Sequence, residues 1–130
     1  MKEFKIKAWL KKEKKVVAII GIDFNYEYIR YTEDGNLFNE NYKTAAFKDI
    51  EFLQFSGAKD KAGQELYEAD VIKFNDGIDD IYGLISYDDE DGTYCVSYEN
   101  ITEHLSDLEG DFEIVGNIFE NPQLHEQLGY

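Results

Sequence analysis

Three Asp-Gly pairs, at residues 34–35, 76–77 and 91–92, constrain the fold more than any other feature of this sequence. Each pair stands between runs of aromatic and β-branched residues, a pattern typical of two antiparallel strands joined by a tight turn. We expect both residues of each pair to adopt a positive φ, as two-residue hairpin turns require. The sequence therefore predicts short antiparallel strands that follow one another closely.

The runs around these turns show the period of a β-strand. Strands are predicted over residues 2–10, 16–22, 26–31, 50–55, 66–74, 80–87, 93–98 and 112–119, with a short piece near Leu37. Residues 39–49 read equally as a helical turn or a loop, and residues 101–108 as a loop or a single turn. A short helical turn is expected from Asn121, because Pro122 suits the first helical position. The predicted fold class is mainly β (a β-rich α+β fold).

A change in charge density near Gly57–Gly63 marks a candidate boundary between two small lobes. We predict an N-terminal β lobe over residues 1–55 and a C-terminal lobe over residues 56–130, packed together as one domain. Predicted strands follow one another at a spacing of roughly ten residues, which is typical of small barrels and sandwiches. The spacing leaves both architectures open.

The charge is distributed unevenly along the chain. The chain contains 13 Lys and Arg residues and 28 Asp and Glu residues, which gives a net charge of −15. Residues 1–15 hold seven Lys and two Glu, whereas residues 64–130 hold one Lys and eighteen acidic residues. Because such a field repels DNA and anionic lipid, we expect neither direct nucleic-acid binding nor membrane association.

Cysteine usage and hydropathy indicate the compartment. Cys95 is the single cysteine, so no internal disulfide is possible and a reducing environment is indicated. The longest apolar run, Val16–Ile22, is far below the roughly 20 residues of a membrane-spanning helix. The N-terminus lacks the apolar stretch of a signal peptide. We expect a cytoplasmic protein.

Three segments together resemble a known family. They are FKIKAWLKKEKKV at residues 4–16, DIEFLQFSGAKDKAGQELYEADVIKF at residues 49–74 and EIVGNIFENPQL at residues 113–124. In this order they are similar to the YopX family, small proteins encoded mostly by bacteriophages and prophages of Gram-positive bacteria. Departures are Leu10 where Asp is usual, Ala58 where Leu is usual and Ala69 where Gly is usual.

The resemblance implies a mostly β fold with a small barrel-like C-terminal part, a phage or prophage setting and frequent oligomers. We accordingly expect the C-terminal lobe, residues 56–130, to be barrel-like, with an SH3-like barrel from Leu66 to Phe119. It assigns no activity to the chain. The expected location is accordingly the cytoplasm of a host bacterial cell, and the expected assembly is a homo-oligomer.

The central turn and the residues after it are the candidate recognition surface, because charges of both signs beside a tyrosine suit a protein partner. Its residues are Lys59, Asp60, Lys61, Tyr67, Glu68 and Asp70. A structural interpretation, which we favour, explains the same residues by turn chemistry. Asp60 would cap a turn, Gly63 would take a positive φ and Asp70 would accept backbone N–H bonds at a strand start.

No catalytic, cofactor-binding or metal-binding constellation is expected. His104, His125 and the serines lack the context of a nucleophile, and Cys95 lies in a predicted strand where a buried inert thiol is usual. The clusters Asp76–Asp80 and Asp88–Asp91 are rich in oxygen ligands but lack the spacing of a Ca²⁺-binding loop, which favours solvated acidic turns.

The expected function is that of a non-enzymatic phage or prophage accessory protein that acts through contacts with a host or phage protein. One alternative is an acidic DNA mimic that blocks a host nucleic-acid-binding protein, since the net charge of residues 64–130 is −17. Another alternative is a metal-dependent enzyme that uses the two Asp clusters.

Overall fold

The computed structural model describes residues 5–33, 41–108 and 110–129. The chain divides into two compact units, an N-terminal unit, Phe4–Gln54, and a C-terminal unit, Phe55–Tyr130. The sequence places the boundary one residue away, between residues 55 and 56. The predicted mainly β class is confirmed, because every described element longer than four residues is a strand.

The N-terminal unit is an antiparallel sheet in the order β4-β3-β2-β1-β5. Its strands are β1 (Ile6–Leu10), β2 (Lys15–Asp23), β3 (Tyr28–Thr32), β4 (Lys43–Ala46) and the first half of β5 (Ile50–Lys59). A 3₁₀ turn, Phe47–Asp49, precedes β5. Alternation along the strands directs one face of the sheet into a core of Ala8, Leu10, Val17, Ile29, Tyr31 and Ile50.

The C-terminal unit contains a five-stranded antiparallel sheet in the order β10-β9-β8-β7-β11. Its elements are β7 (Asp70–Asn75), β8 (Asp80–Asp88), β9 (Thr93–Tyr98), β10 (Ile101–His104), a 3₁₀ turn (Leu105–Asp107), β11 (Phe112–Asn117) and α1 (Leu124–Gln127). The second half of β5 pairs with the short β6 (Glu65–Tyr67) in the same unit. The core consists of Leu66, Ile72, Phe74, Ile85 and Val96.

The strand pairings of the described residues do not join β10 to β11, the two ends of the five-stranded sheet. The SH3-like barrel therefore stays a prediction. The short C-terminal helix expected after Asn121 is present as α1. Within the described parts of the chain, no helix has the length and apolar character needed to cross a membrane.

Three segments differ from their predicted secondary structure. The single strand predicted over 66–74 is interrupted by a turn at Glu68–Ala69, where Ala69 has a φ of 72°. The segments 39–49 and 101–108 each contain a strand, β4 and β10, because pairing with β3 and β9 decides what local preference leaves open. The expectations for Lys2–Phe4 and Leu37 lie outside the described residues.

The hairpins predicted at Asp76-Gly77 and Asp91-Gly92 are confirmed, since β7 pairs with β8 and β8 with β9. Only the glycines have a positive φ, 100° at Gly77 and 64° at Gly92, so the expectation for the two aspartates was wrong. The connections span four residues each, 76–79 and 89–92, and a longer turn needs only one such residue. The pair at residues 34–35 lies outside the described residues.

Candidate functional site

The turn between β5 and β6 is built around the carboxylate of Asp60, which is only 7% exposed. Its Oδ1 accepts hydrogen bonds from the backbone N–H groups of Ala62 at 3.0 Å and Gln64 at 2.9 Å. Gly63 follows with a φ of 83°. The predicted roles of Asp60 as a turn cap and of Gly63 as the residue with positive φ are confirmed.

Asp60 also connects this turn to β11, because its Oδ2 accepts a hydrogen bond from the N–H of Ile114 at 3.1 Å. A parallel backbone bond runs from the Lys61 N–H to the Phe112 carbonyl, at 3.1 Å. Burial raises the pKa of Asp60, but the backbone donors Ile114, Gln64 and Ala62 outweigh it and hold this pKa below its usual value. The buried group is thus a carboxylate whose acceptor sites are used within the chain.

The turn at Glu68–Ala69 connects three further segments. Asp70 Oδ2 accepts a hydrogen bond from the Tyr67 N–H at 2.8 Å, which confirms the predicted role of Asp70 at a strand start. Ala69 donates its N–H to the Ile85 carbonyl at 2.9 Å, and its own carbonyl accepts the N–H of Ile118 at 3.0 Å. Hydrogen bonds therefore link this turn to β8 and to the residues that follow β11.

The segment after β11 forms a tight turn stabilised by two asparagines. Asn117 Oδ1 accepts the N–H groups of Phe119 at 3.0 Å and Glu120 at 2.8 Å. Asn121 Oδ1 accepts the Asn117 N–H at 3.1 Å. A Cβ atom at Gly116, whose φ is 150°, would collide with Asn121 Oδ1. The two asparagines and the glycine are therefore explained by local structure.

The central and C-terminal segments that carry the family resemblance thus meet in the C-terminal unit, and most of their polar groups hold the backbone. Of the six candidate recognition residues, Asp60 and Tyr67 are buried, at 7% and 6% exposure, and therefore lie beyond the reach of a partner. Lys59 and Lys61 are exposed, while Glu68 and Asp70 are half-buried. For these four residues, a recognition role stays a prediction.

The two Asp clusters form acidic hairpin turns. In each turn, one carboxylate oxygen of the first aspartate accepts hydrogen bonds from backbone N–H groups. Asp76 Oδ1 accepts the N–H groups of Ile78 and Asp79, each at 2.8 Å, and these bonds lower the pKa of Asp76. Asp88 Oδ1 caps the next turn by accepting the Glu90 N–H at 2.9 Å. Across the described residues, no three His, Cys, Asp or Glu side chains are grouped so as to hold a metal ion.

The nucleophile candidates lie in ordinary structural positions. The thiol of Cys95 is 2% exposed, and burial, with Asp88 and Asp91 nearby, raises its pKa. The prediction of a buried thiol is therefore confirmed, and at neutral pH it is protonated. His104 Nε2 lies 3.1 Å from Asp91 Oδ2 at the C-terminal end of β10, and this hydrogen bond raises the pKa of the imidazole.

Sequence reasoning missed an open groove in the C-terminal unit, with a volume of about 680 Å³. We call it the acidic groove; the lining residues that matter here are Phe74, Asp76, Tyr98, Glu103, Asp107 and Leu108. They come from β7, the β7–β8 turn, β9, β10, the 3₁₀ turn and the residue that follows it, so only the fold brings them together. The segment 101–108, predicted as a loop or a single turn, contributes three of the six.

Two aromatic rings form one wall of the acidic groove. The rings of Phe74 and Tyr98 meet edge to face, with centroids 5.1 Å apart and an interplanar angle of 82°. The Tyr98 hydroxyl donates a hydrogen bond to Glu103 Oε1 at 3.0 Å. Burial and the Glu103 carboxylate raise the pKa of Tyr98, so the phenol stays protonated and remains the donor of this hydrogen bond.

Comparison with known proteins agrees with this structure. A family model described as YopX protein matches residues 5–126. The chain belongs to the YopX family. A solved structure, the crystal structure of protein EF1440 from Enterococcus faecalis, is similar to this YopX-family chain with a TM-score of 0.63. The alignment covers 95% of this chain and 99% of that chain at 19% sequence identity, which shows a shared fold. No functionally curated protein matches the chain.

Proposed function

We propose that this YopX-family protein is a non-enzymatic accessory protein of a phage or prophage that acts in the host cytoplasm by binding another protein. The observation that supports the proposal is the separation of charge between the two units. Residues 55–130 contain three Lys and nineteen Asp and Glu, a net charge of −16, whereas residues 1–54 carry a net charge of +1. A surface of one sign selects a partner of the opposite sign and accelerates its association.

The acidic side chains stand where a partner can reach them. Every residue of the turns 76–79 and 89–92 is exposed, and the two turns lie at opposite ends of β8. Apolar side chains accompany these charges, since Ile78 is 85% exposed and Tyr87 is 43% exposed. Aromatic and apolar groups within a charged rim are typical of protein interfaces, whereas charge that only maintains solubility needs no such groups.

Affinity capture from a host lysate tests this proposal when it is followed by reconstitution with each purified partner. We expect a partner with a basic surface whose binding weakens steeply between about 0.05 and 0.5 M salt, because screening removes the attraction between exposed charges. The charge-neutralised variant Asp89→Asn/Glu90→Gln should bind more weakly at low salt and equally at high salt. A partner held with the same affinity at both salt concentrations would contradict the proposal.

The same charge separation favours a second candidate, the acidic DNA mimic. In that case the partner is a nuclease, repressor or other nucleic-acid-binding protein, and the C-terminal unit occupies its cationic groove. Competition distinguishes the two candidates, since duplex DNA should displace a mimic from its partner in proportion to concentration. A partner that binds DNA and this protein simultaneously would contradict mimicry and leave the broader proposal intact.

We also propose that the protein forms a homo-oligomer, which the family resemblance implies. The supporting observation is the number of exposed aromatic side chains in the N-terminal unit, where Phe24 and Tyr26 are 75% and 77% exposed. Exposed aromatic groups of this kind are enriched at interfaces. Sedimentation at micromolar concentration should give a mass above 15.1 kDa. A monomeric mass would contradict this proposal.

A further inference from the structure

We propose that the acidic groove binds an extended segment of a partner protein that carries lysine or arginine side chains. This inference rests on the proposed function as a protein-binding module and names the chemistry of its recognition site. The starting observation is that three carboxylates, those of Asp76, Glu103 and Asp107, line the same groove as the aromatic pair Phe74–Tyr98.

The electrostatics of the acidic groove select a cation. None of the described residues that line it is basic, so the three carboxylates face no neutralising charge within the lining. The aromatic wall adds a second attraction, since a cation near the face of a tyrosine ring is stabilised by the electron-rich π system. The hydrogen bond from Tyr98 to Glu103 fixes the ring and one carboxylate relative to each other. The Tyr98 ring and the Glu103 carboxylate are therefore already in place to bind a cationic side chain.

The size and lining of the groove favour a polypeptide over a small cation. Its volume of about 680 Å³ is several times that of one ammonium group. The half-buried Leu108 and Tyr98 provide apolar surface for the alkyl stem of a lysine or arginine, whose charged end then reaches the carboxylates. Phe74, which is 8% exposed, packs against the Tyr98 ring and belongs to the core. Glu103 belongs to β10, an edge strand of the five-stranded sheet, and edge strands commonly pair with extended peptides.

Titration of the full-length protein with a labelled nonapeptide that contains three lysines tests the inference. Fluorescence anisotropy at low salt gives the affinity, and ¹⁵N chemical shifts report where the peptide binds. We expect the largest shifts at Tyr98, Glu103 and Asp107. The same peptide with glutamate in place of lysine should not bind, because like charges repel each other.

A matched pair of variants separates the groove from the general negative charge. Glu103→Gln/Asp107→Asn and the control Glu120→Gln/Glu126→Gln each remove two negative charges from the C-terminal unit, and the control residues are exposed and lie outside the groove lining. Gln at position 103 can still accept the Tyr98 hydrogen bond. We expect the groove variant to weaken peptide binding about tenfold and the control variant less than about twofold, since direct contacts are screened less than distant charges. Equal weakening by both variants would overturn the inference. Unchanged circular dichroism spectra will show that both variants are folded.

Tyr98→Phe and Tyr98→Leu test the aromatic wall. The phenylalanine variant keeps a ring and should retain most of the affinity, whereas the leucine variant should lose about fivefold or more. Spermine that competes at the same concentration as the peptide would overturn the inference in favour of a small cation. A peptide of residues 8–17 that binds when unrelated lysine peptides do not would overturn it in favour of a second copy of this chain.

The failure of this inference is distinguishable from the failure of the proposed function. If lysine peptides do not bind but a basic partner is captured and its binding depends on salt, the groove inference is wrong and the proposed function stands. If lysine peptides bind in the groove but every partner is held independently of salt, the groove inference stands and the proposed function is wrong.

Discussion

The carboxylate of Asp60 accepts a hydrogen bond from the backbone N–H of Ile114 at 3.1 Å, across 54 residues of the chain. Because Asp60 also caps its own turn, one buried side chain connects the β5–β6 turn with β11. Asp60, a member of the candidate recognition motif, is thus part of the internal framework of the C-terminal unit.

Replacing Asp60 with alanine should destabilise the protein by about 2–4 kcal/mol, because three backbone N–H groups lose their acceptor in a buried position. Urea denaturation followed by circular dichroism measures this change. The matched control is Asp89→Ala in an exposed turn, which should alter the free energy of unfolding by less than about 0.5 kcal/mol. Equal effects of the two substitutions would show that the Asp60 hydrogen bonds contribute little.

Hairpin chemistry and alternation let the sequence predict most strands of the described residues, but they leave β4 and β10 undecided and miss one break within a predicted strand. The alternation of residues does not predict this turn at Ala69, because alanine disfavours a positive φ. Its conformation is imposed from outside the segment, by the bonds from its N–H to Ile85 and from Ile118 to its carbonyl. Tertiary hydrogen bonds determine this turn, and a single sequence carries no local signal for them.

The turn roles of Asp60, Gly63 and Asp70 follow from local chemistry, and the sequence predicts them correctly. The acidic groove does not follow from local chemistry, because Phe74, Tyr98 and Glu103 lie on three different strands. Their proximity depends on the order β10-β9-β8-β7, and pairing order is a property of the whole sheet. The sequence alone therefore indicates the acidic charge of the C-terminal unit but not the location of the groove.

Ala69→Gly should stabilise the protein by about 0.5–1 kcal/mol. An L-residue at a φ of 72° carries a penalty of roughly 1–2 kcal/mol, part of which is offset by the greater freedom of glycine in the unfolded chain. The control is Ala62→Gly, which lies in an exposed turn without a positive φ and should lower stability slightly. Thermal melting of both variants measures the difference. A loss of stability in Ala69→Gly would contradict the assigned backbone conformation.

Gly116→Ala should destabilise the protein by about 2–4 kcal/mol, because the new methyl group would displace the Asn121 side chain from the Asn117 N–H. Gly57→Ala is a suitable comparison, since Gly57 has a φ of 91° but open space around its Cβ position. That variant should show only the backbone penalty of roughly 1–2 kcal/mol. Denaturant unfolding distinguishes the two. Equal losses would mean that the contact with Asn121 is relaxed at little cost.

In the N-terminal unit, Glu33 Oε1 accepts hydrogen bonds from Lys15 and Lys43, each at 2.8 Å, and these two lysines lower the pKa of Glu33 to about 2. Since the folded-state pKa lies below the ordinary value of 4.5, the stabilisation is present above that value and is lost as the pH falls through about 2. Lys43→Met should therefore raise the pKa of Glu33, and ¹³C NMR titration of its carboxyl group measures the shift. Lys12→Met, in the turn before β2, should leave it unchanged. A pKa near 4.5 in the unmodified protein would refute the ion-pair geometry.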